Sequence, residues 1–360
     1  MSHDQVRIRE LDGLRALAAL AVVFFHYTSR YDSLFGHSTP LWFSLPRGDL
    51  GVDCFFMLSG YVILMTLDRT ASAGDFVVGR FARLYPAYWA AMLVTFAVVT
   101  WAGLPGHEVS LGEAVVNVTM LQQLLGARHI DSAYWSLQTE LLFYGAMLVL
   151  ARTGMLSPSR WTTTMTLWLL LATAARTAAE AQPLGVSGPL PLAFVTKLQT
   201  VLSLKYLHLF ALGIALYRTE NAGRRSPTAL LLAASCVLVQ GRFDSWTAAG
   251  VVALLALIVR EAVRGRLPFL AARPLVYVGT ISYPLYLIHQ NVGYVAIRHL
   301  EAVGLSDSVA VATAIGGSLL LGAGLSHAVE RPAMSAFQGC YRQGRGRLPV
   351  AKFVRIPRGR

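Results

Sequence analysis

The run Leu14-Arg-Ala-Leu-Ala-Ala-Leu-Ala-Val-Val-Phe-Phe-His-Tyr27 decides how this chain is read, because it is apolar except for Arg15 and His26. On a helix His26 lies about 16 Å beyond Arg15, which is roughly half the thickness of a bilayer core. Ionisable side chains are costly inside a membrane, so each of the two indicates a functional site. The alternative is an ordinary membrane span that carries an anchoring arginine and an interfacial histidine.

The composition predicts an all-α, polytopic membrane protein. Hydrophobic residues make up 55% of the chain, charged residues only 14%, and the mean hydropathy is +0.51, whereas soluble domains carry about a quarter charged residues. The 31 Lys and Arg against 19 Asp and Glu are interpreted as a topology signal rather than as nucleic-acid binding. The three cysteines have no metal-ligand spacing, so neither a disulfide framework nor a metal site is predicted.

The apolar runs predict about ten transmembrane helices. The positive-inside rule then places both the N-terminus and the C-terminus in the cytoplasm, since basic residues cluster in alternate loops. We expect a membrane domain over 1–335, a basic, disordered cytoplasmic tail over 336–360, and a multi-pass location in the cell inner (plasma) membrane. The weaker run 111–126 is expected to be re-entrant or interfacial. The predicted spans are 12–29, 50–67, 84–103, 134–151, 161–179, 199–217, 228–241, 246–263, 275–298 and 309–330.

Two motifs near the N-terminal third carry polar groups. In Gly51-Val-Asp-Cys-Phe-Phe-Met-Leu-Ser-Gly-Tyr61, Asp53 is expected at the depth of His26, and Ser59 precedes a glycine that permits close approach of a helix or a ligand. Arg80 and Arg83 share a helix face, where two guanidinium groups suit a phosphate. The alternatives are helix packing for the first motif and positive-inside anchoring for the second.

Two later motifs add further ionisable groups. In Tyr134-Trp-Ser-Leu-Gln-Thr-Glu-Leu-Leu-Phe-Tyr144, Glu140 falls inside an apolar span and needs a partner, for which His26 is a candidate. Gly279-Thr-Ile-Ser-Tyr-Pro-Leu-Tyr-Leu-Ile-His289 places His289 in a proline-kinked span of the kind that lines cavities. Structural hydrogen bonding is the alternative in both places.

Together these motifs resemble acyltransferase family 3, a family of integral-membrane O-acyltransferases, over nearly the whole chain. Each motif alone is weak, but five in the family's order are specific. They are Arg15–His26, Phe55–Gly60, Arg80–Pro86, Trp135–Glu140 and Ile281–His289.

The resemblance implies transfer of an acyl group, often acetyl, from acyl-coenzyme A to a hydroxyl on a sugar, a glycan or a macrolide-like metabolite. Acyl-CoA is then a co-substrate, and no permanently bound cofactor is expected. We expect Arg80 and Arg83, helped by Arg15, to bind the coenzyme A phosphates.

His26 is the expected general base. Either Glu140 or Asp53 orients it, in the manner of the acid in a Ser-His-Asp triad. The expected substrate pocket contains Ser59, Trp135, Tyr283 and His289, and Ser59, Tyr283 or a backbone amide supplies an oxyanion donor. Direct transfer and an acyl-His26 relay both remain open.

Two other classes of function compete with the enzyme. A transporter or flippase also has about ten spans and a broken helix, but the chain shows no inverted repeat. A membrane scaffold protein would use its arginines for topology alone.

Overall fold

The computed structural model describes residues 8–70, 72–181, 192–221 and 226–345, and within these ranges the secondary structure is entirely helical. Apolar runs broken by Gly, Pro and Ser explain where the helices end; Ser72, for example, caps α4 by accepting a hydrogen bond from the Asp75 amide. The helices are α1 Arg9–Phe25, α2 Tyr31–Phe35, α3 Gly51–Arg69, α4 Ala73–Ala102, α5 Leu111–Asn117, α6 Trp135–Arg152, α7 Trp161–Glu180, α8 Leu192–Val201, α9 Leu207–Asn221, α10 Pro227–Phe243, α11 Trp246–Val263, α12 Arg273–Ala302, α13 Asp307–Leu325 and α14 Arg331–Arg345.

Several of these helices suit a membrane. Within the described ranges, five stretches are long and apolar enough to cross one, and α10 is a shorter apolar helix. Large apolar side chains cover their outer faces; Trp101 on α4 is 90% exposed and Leu320 on α13 is 76% exposed. In water such a surface would be unfavourable, so the chain is a membrane protein. The ten spans and the cytoplasmic termini remain predictions.

The observed helices differ from the predicted spans in three places. The third predicted span, 84–103, corresponds to the C-terminal part of α4, which begins at Ala73 and ends at Ala102. The predicted span 199–217 is interrupted, because Ser203 adopts a left-handed conformation with φ 51° between α8 and α9. The predicted tail 336–360 starts inside α14, which ends at Arg345, and residues 346–360 lie outside the described part of the chain.

The α1–α12 pair positions the site. The two helices run parallel, since Asp12 lies beside Gly279 and Tyr27 beside Gly293. A Cβ atom at Gly279 would come within 1.9 Å of the Asp12 carbonyl oxygen, so only glycine permits this approach. Helix α3 runs antiparallel to α1, with Gly51 against the Ala18 carbonyl.

Helix α1 changes its winding at His26. Residues His26–Arg30 form a π-helical turn between α1 and α2. Such turns widen the helix by one residue and are common at functional sites. His26 is the first residue of this π-helical turn, and a second π-helical turn, Ser326–Glu330, follows α13.

Candidate active site

An arginine-rich cavity opens between α1, α3, α4, α6 and α12. Together with solvent at its mouth it contains about 730 Å³ of empty space. The predicted phosphate ligands Arg15, Arg80 and Arg83 all line it, as do the predicted Ser59, Glu140 and Tyr283. Its other walls are largely apolar and aromatic, formed by Val52, Phe55, Phe56, Val62, Ile63, Leu84, Leu137, Tyr144 and Tyr286, with Ser136 and Ser282.

Arg80 is held in place by its neighbours on α3 and α6. Its Nη2 donates to Thr66 Oγ1 at 2.9 Å, and its guanidinium carbon lies 5.5 Å from the centre of the Tyr144 ring and 5.7 Å from that of Phe76. Cation–π contacts of this kind hold a guanidinium without neutralising its charge. Arg80 is therefore oriented in advance for an anion.

Glu140 forms a compact hydrogen-bonded group on the cavity wall. Its Oε1 accepts a hydrogen bond from Ser59 Oγ at 2.7 Å and another from the Tyr144 hydroxyl, one helical turn along α6. The partly buried carboxylate is satisfied by these neutral donors. Its partner is thus the Ser59–Tyr144 pair, and the expectation that Glu140 contacts His26 is wrong.

The cavity carries an excess of positive charge. Three guanidinium groups face one carboxylate, that of Glu140, which leaves two positive charges (three minus one). Among the described residues, no salt bridge uses Arg15, Arg80 or Arg83. Partly buried guanidinium groups without a carboxylate partner are suited to bind a phosphate.

His26 lies beside His289. The two rings are 4.9 Å apart, and His26 Nδ1 is 3.2 Å from His289 Nε2. His289 Nδ1 is 2.8 Å from the Tyr286 carbonyl oxygen, which can only accept, so this nitrogen carries the hydrogen. His289 Nε2 is then an acceptor. His26 Nδ1 donates to it and to the Val22 carbonyl at 2.8 Å, which leaves the lone pair of His26 on Nε2.

Tyr27 and Tyr286 fix the histidine pair in place. The Tyr27 hydroxyl donates to the His289 carbonyl at 2.5 Å and lies 2.5 Å from Ser318 Oγ on α13. Tyr286 lines the cavity on one side, and its ring centre is 5.5 Å from that of His289. Tyr286 therefore separates the arginine cavity from the histidine pair.

Asp53 does not contact His26, so its predicted orienting role is wrong. Asp53 Oδ2 accepts from Gln240 Nε2 at 3.0 Å, and Gln240 Oε1 lies 2.5 Å from His208 Nε2. Asp53 thus belongs to a buried polar group between α3, α9 and α10. Trp135 stacks on Tyr206 with ring centres 4.9 Å apart and does not line the cavity.

The two predicted oxyanion side chains already donate elsewhere. The Tyr283 hydroxyl donates to the Leu84 carbonyl at 2.9 Å, and the Ser59 hydroxyl donates to Glu140. Neither hydroxyl hydrogen is aimed into the cavity in this structure.

Sequence reasoning missed Tyr144 and Tyr286. Helical spacing offered a signal for both, because Tyr144 follows Glu140 by four residues and Tyr286 precedes His289 by three. Residues three and four apart share a helix face. Each tyrosine could therefore have been assigned to the site through its neighbour.

The family described as an acyltransferase domain, Acyl_transf_3, matches residues 8–327. No solved structure matches.

Three relatives illustrate the range of the family. The Acyltransferase MdmB of Streptomyces mycarofaciens is 32% identical over 149 residues, 39% of this chain and 38% of the relative. The Peptidoglycan O-acetyltransferase OatA of Listeria monocytogenes is 35% identical over 99 residues, 26% of this chain and 14% of the relative. The Exopolysaccharide production protein ExoZ of Rhizobium meliloti is 25% identical over 322 residues, 84% of this chain and 93% of the relative.

The chain thus spans well under half the length of the first two relatives and nearly all of the third. The family match extends across the helices that form both the arginine cavity and the histidine pair. This membrane protein therefore belongs to the Acyl_transf_3 family, whose model describes an acyltransferase domain.

Proposed function

We propose that the protein transfers an acetyl group from acetyl-CoA to a hydroxyl of a carbohydrate or a glycosylated metabolite, with His26 as general base. One observation carries this proposal. The arginine cavity, whose three arginines form no salt bridge among the described residues, is separated by Tyr286 from the histidine pair, in which Nε2 of His26 carries a free lone pair. The first feature suits a phosphorylated acyl donor, and the second suits proton abstraction from a hydroxyl.

The donor is acyl-CoA. Its phosphates bind Arg15, Arg80 and Arg83, because bidentate guanidinium–phosphate contacts are strong where solvent is partly excluded. With the N-terminus in the cytoplasm and ten spans crossing the plasma membrane, this cavity faces the compartment that holds coenzyme A. The clustering of basic residues in alternate loops supports that orientation.

The pantetheine arm extends from the arginines towards His26. The distance is about 16 Å along α1, from the helical rise per residue. Phe55 and Tyr286 lie on this route, since both line the cavity and their ring centres are 6.0 Å apart. The thioester therefore reaches the histidine pair only after passing these two rings.

The reaction transfers the acyl group from the thioester sulfur of acyl-CoA to the hydroxyl oxygen of the acceptor. His26 Nε2 takes the proton of the acceptor hydroxyl while its oxygen attacks the thioester carbonyl carbon. The bond between the acyl carbon and sulfur breaks, and the leaving thiolate takes the proton back from the imidazolium. An ester and free coenzyme A result, with charge and protons balanced.

His289 takes the role that was expected of a carboxylate. By accepting from His26 Nδ1 it fixes the tautomer in which His26 Nε2 is the base. A neutral imidazole stabilises the imidazolium less than a carboxylate does. The position of His289 on α12 also ties the base to the wall formed by Tyr286.

The acceptor is a hydroxyl compound approached from the opposite side of the bundle. Two relatives bear names that refer to peptidoglycan O-acetylation and to exopolysaccharide production. We carry over from them only the chemical class, a sugar hydroxyl.

The test is acetyl-CoA turnover by protein purified in detergent, with a panel of oligosaccharide and glycosylated acceptors. We expect acceptor-dependent release of free thiol that His26→Ala abolishes while coenzyme A binding persists. His299→Ala is the matched control, because His299 is an exposed histidine bonded only to Val295 of its own helix. Unchanged turnover in His26→Ala would remove His26 from the role of base.

A further inference from the structure

A second polar cluster lies at the opposite end of α12 from the arginine cavity. His37 Nδ1 is 3.3 Å from Glu301 Oε1 and 3.9 Å from Asp307 Oδ2. The three ligand atoms all lie within 4.8 Å of one another. The side chain of His37 is only 5% exposed, that of Asp307 3% and that of Glu301 16%. The cluster is therefore shielded from bulk water.

The position of the hydrogen on the His37 ring shows that hydrogen bonds alone do not satisfy this cluster. His37 Nε2 lies 3.1 Å from the Tyr27 carbonyl oxygen, which can only accept, so Nε2 carries a hydrogen. In the neutral ring Nδ1 is then a lone pair that faces two carboxylate oxygens. Three acceptors converge on one point, and a positive species must occupy it for the arrangement to be stable.

Neighbouring arginine does not supply that charge. The guanidinium carbon of Arg298 lies 5.3 Å from the centre of the Phe35 ring. Within the described ranges of the chain, no salt bridge joins Arg298 to Glu301 or Asp307. The positive species is therefore either a proton on His37 or a bound cation.

The spacing of the ligands fits a cation. Bonds of about 2.0–2.1 Å in a tetrahedral site place neighbouring ligand atoms about 3.3 Å apart. The His37–Glu301 distance already has this value, and the contact between His37 and Asp307 needs to close by only about 0.6 Å. One imidazole and two carboxylates suit Zn²⁺ or Mn²⁺ better than they suit Mg²⁺, because Mg²⁺ prefers ligands that are all oxygen atoms.

The groups behind the ligands are those that a metal site requires. Metal-bound histidine usually donates its second ring N–H to a carbonyl, as His37 does to Tyr27. The Tyr31 hydroxyl donates to Glu301 Oε2 at 2.8 Å, and the Thr39 amide donates to Asp307 Oδ2 at 2.6 Å. Each predicted ligand is thus oriented by a separate hydrogen bond.

We propose that His37, Glu301 and Asp307 bind one divalent transition-metal cation of the Zn²⁺ or Mn²⁺ type. The cation fastens the segment after α2 to the α12–α13 turn. Tyr27 receives the hydrogen bond of His37 and immediately follows His26, so the cation also stabilises the π-helical turn that carries the base. None of the three ligands belongs to the arginine cavity or the histidine pair.

The experiment uses tag-free protein in detergent, treated with a chelator and then titrated calorimetrically with Zn²⁺ or Mn²⁺. We expect one equivalent to bind and the thermal unfolding temperature to rise. His37→Ala is expected to weaken binding at least tenfold, since one of three protein ligands is lost. His299→Ala is the matched control, because His299 lies on α12 like Glu301 but outside the cluster. We expect this variant to bind the metal as tightly as the wild type.

A second measurement avoids dependence on the folding of the variants. Co²⁺ added to the wild-type protein is expected to give visible absorption bands of a four- or five-coordinate site, and excess Zn²⁺ is expected to remove them. Equal metal binding by wild type and His37→Ala overturns the proposal. So does a chelator-treated wild-type protein that binds neither Zn²⁺ nor Mn²⁺.

Discussion

Replacing Arg80 or Arg83 by alanine is expected to weaken coenzyme A binding by about 10- to 150-fold. A hydrogen bond to a charged group contributes roughly 1.5–3 kcal/mol, and each 1.4 kcal/mol corresponds to a factor of ten in the dissociation constant. The loss should fall in the upper part of this range at Arg80, because Thr66 and Tyr144 already orient its guanidinium and less conformational entropy is lost on binding.

The assay is calorimetric titration of detergent-purified protein with coenzyme A at two salt concentrations. Arg80→Lys retains the charge but not the planar guanidinium, whose carbon lies 5.5 Å from the centre of the Tyr144 ring, so its affinity should be intermediate. Arg69→Ala is the matched control, since Arg69 is an exposed arginine at the last turn of α3 and does not line the cavity.

Dephospho-coenzyme A extends the test to a single phosphate. If one arginine contacts the 3′-phosphate, its alanine variant loses affinity for coenzyme A but none for the dephospho form, as a double-mutant cycle requires. The reasoning is refuted if Arg80→Ala, Arg83→Ala and Arg69→Ala all bind coenzyme A as tightly as the wild type. The positive charge of the cavity would then have another purpose.

Three further changes test the packing, the base and a surface ion pair. Gly279→Ala is expected to destabilise the protein by about 1–3 kcal/mol through its clash with Asp12, whereas Gly250→Ala, which meets no atom within 4 Å, should stabilise α11 slightly; thermal unfolding compares them. His289→Asn should lower kcat at least tenfold with little change in the KM for acetyl-CoA, and a change confined to KM would contradict the orienting role. The Arg128 guanidinium lowers the pKa of Glu113 to about 2; since this lies below the ordinary value of 4.5, its stabilising effect is complete above about pH 4.5 and lost as the pH falls towards 2. The difference in unfolding temperature between wild type and Glu113→Gln should follow that curve, and a difference that stays constant from pH 7 to pH 3 would speak against it.

The sequence predicted much of the arginine cavity. Helical periodicity and the cost of buried charge singled out Arg15, Arg80 and Arg83, and the structure brings them together with Ser59 and Glu140. Their convergence was predictable because each arginine lies at the same end of its predicted span. Several cations at one depth are what binding of a phosphorylated acyl donor requires.

The partner of Glu140 was not predictable by the same method. The ends of the apolar runs predict that Glu140 and His26 lie at the same depth in the membrane. In the structure the segment before α6 is itself buried, with Asp131 accepting from the Asn291 amide and Tyr134 donating to the Leu287 carbonyl. Helix α6 therefore begins inside the bundle, and Glu140 lines the arginine cavity and does not reach His26.

Contacts between distant segments were also beyond the sequence. Spacing rules find metal ligands that are neighbours along the chain, whereas His37 lies far from Glu301 and Asp307. The same holds for the pairing of His26 with His289. Both arrangements depend on which helices lie side by side, and that is decided by packing at single glycines such as Gly279 and Gly293.

The parallel packing of α1 against α12 has a consequence for biosynthesis. His26, the proposed base, is synthesised 263 positions before His289, the histidine that fixes its tautomer. Membrane insertion must therefore deliver nearly every helix before the site is complete. A nascent chain that stalls before α12 has neither the His26–His289 contact nor the Tyr286 wall, so the proposed acyl transfer requires a nearly complete bundle.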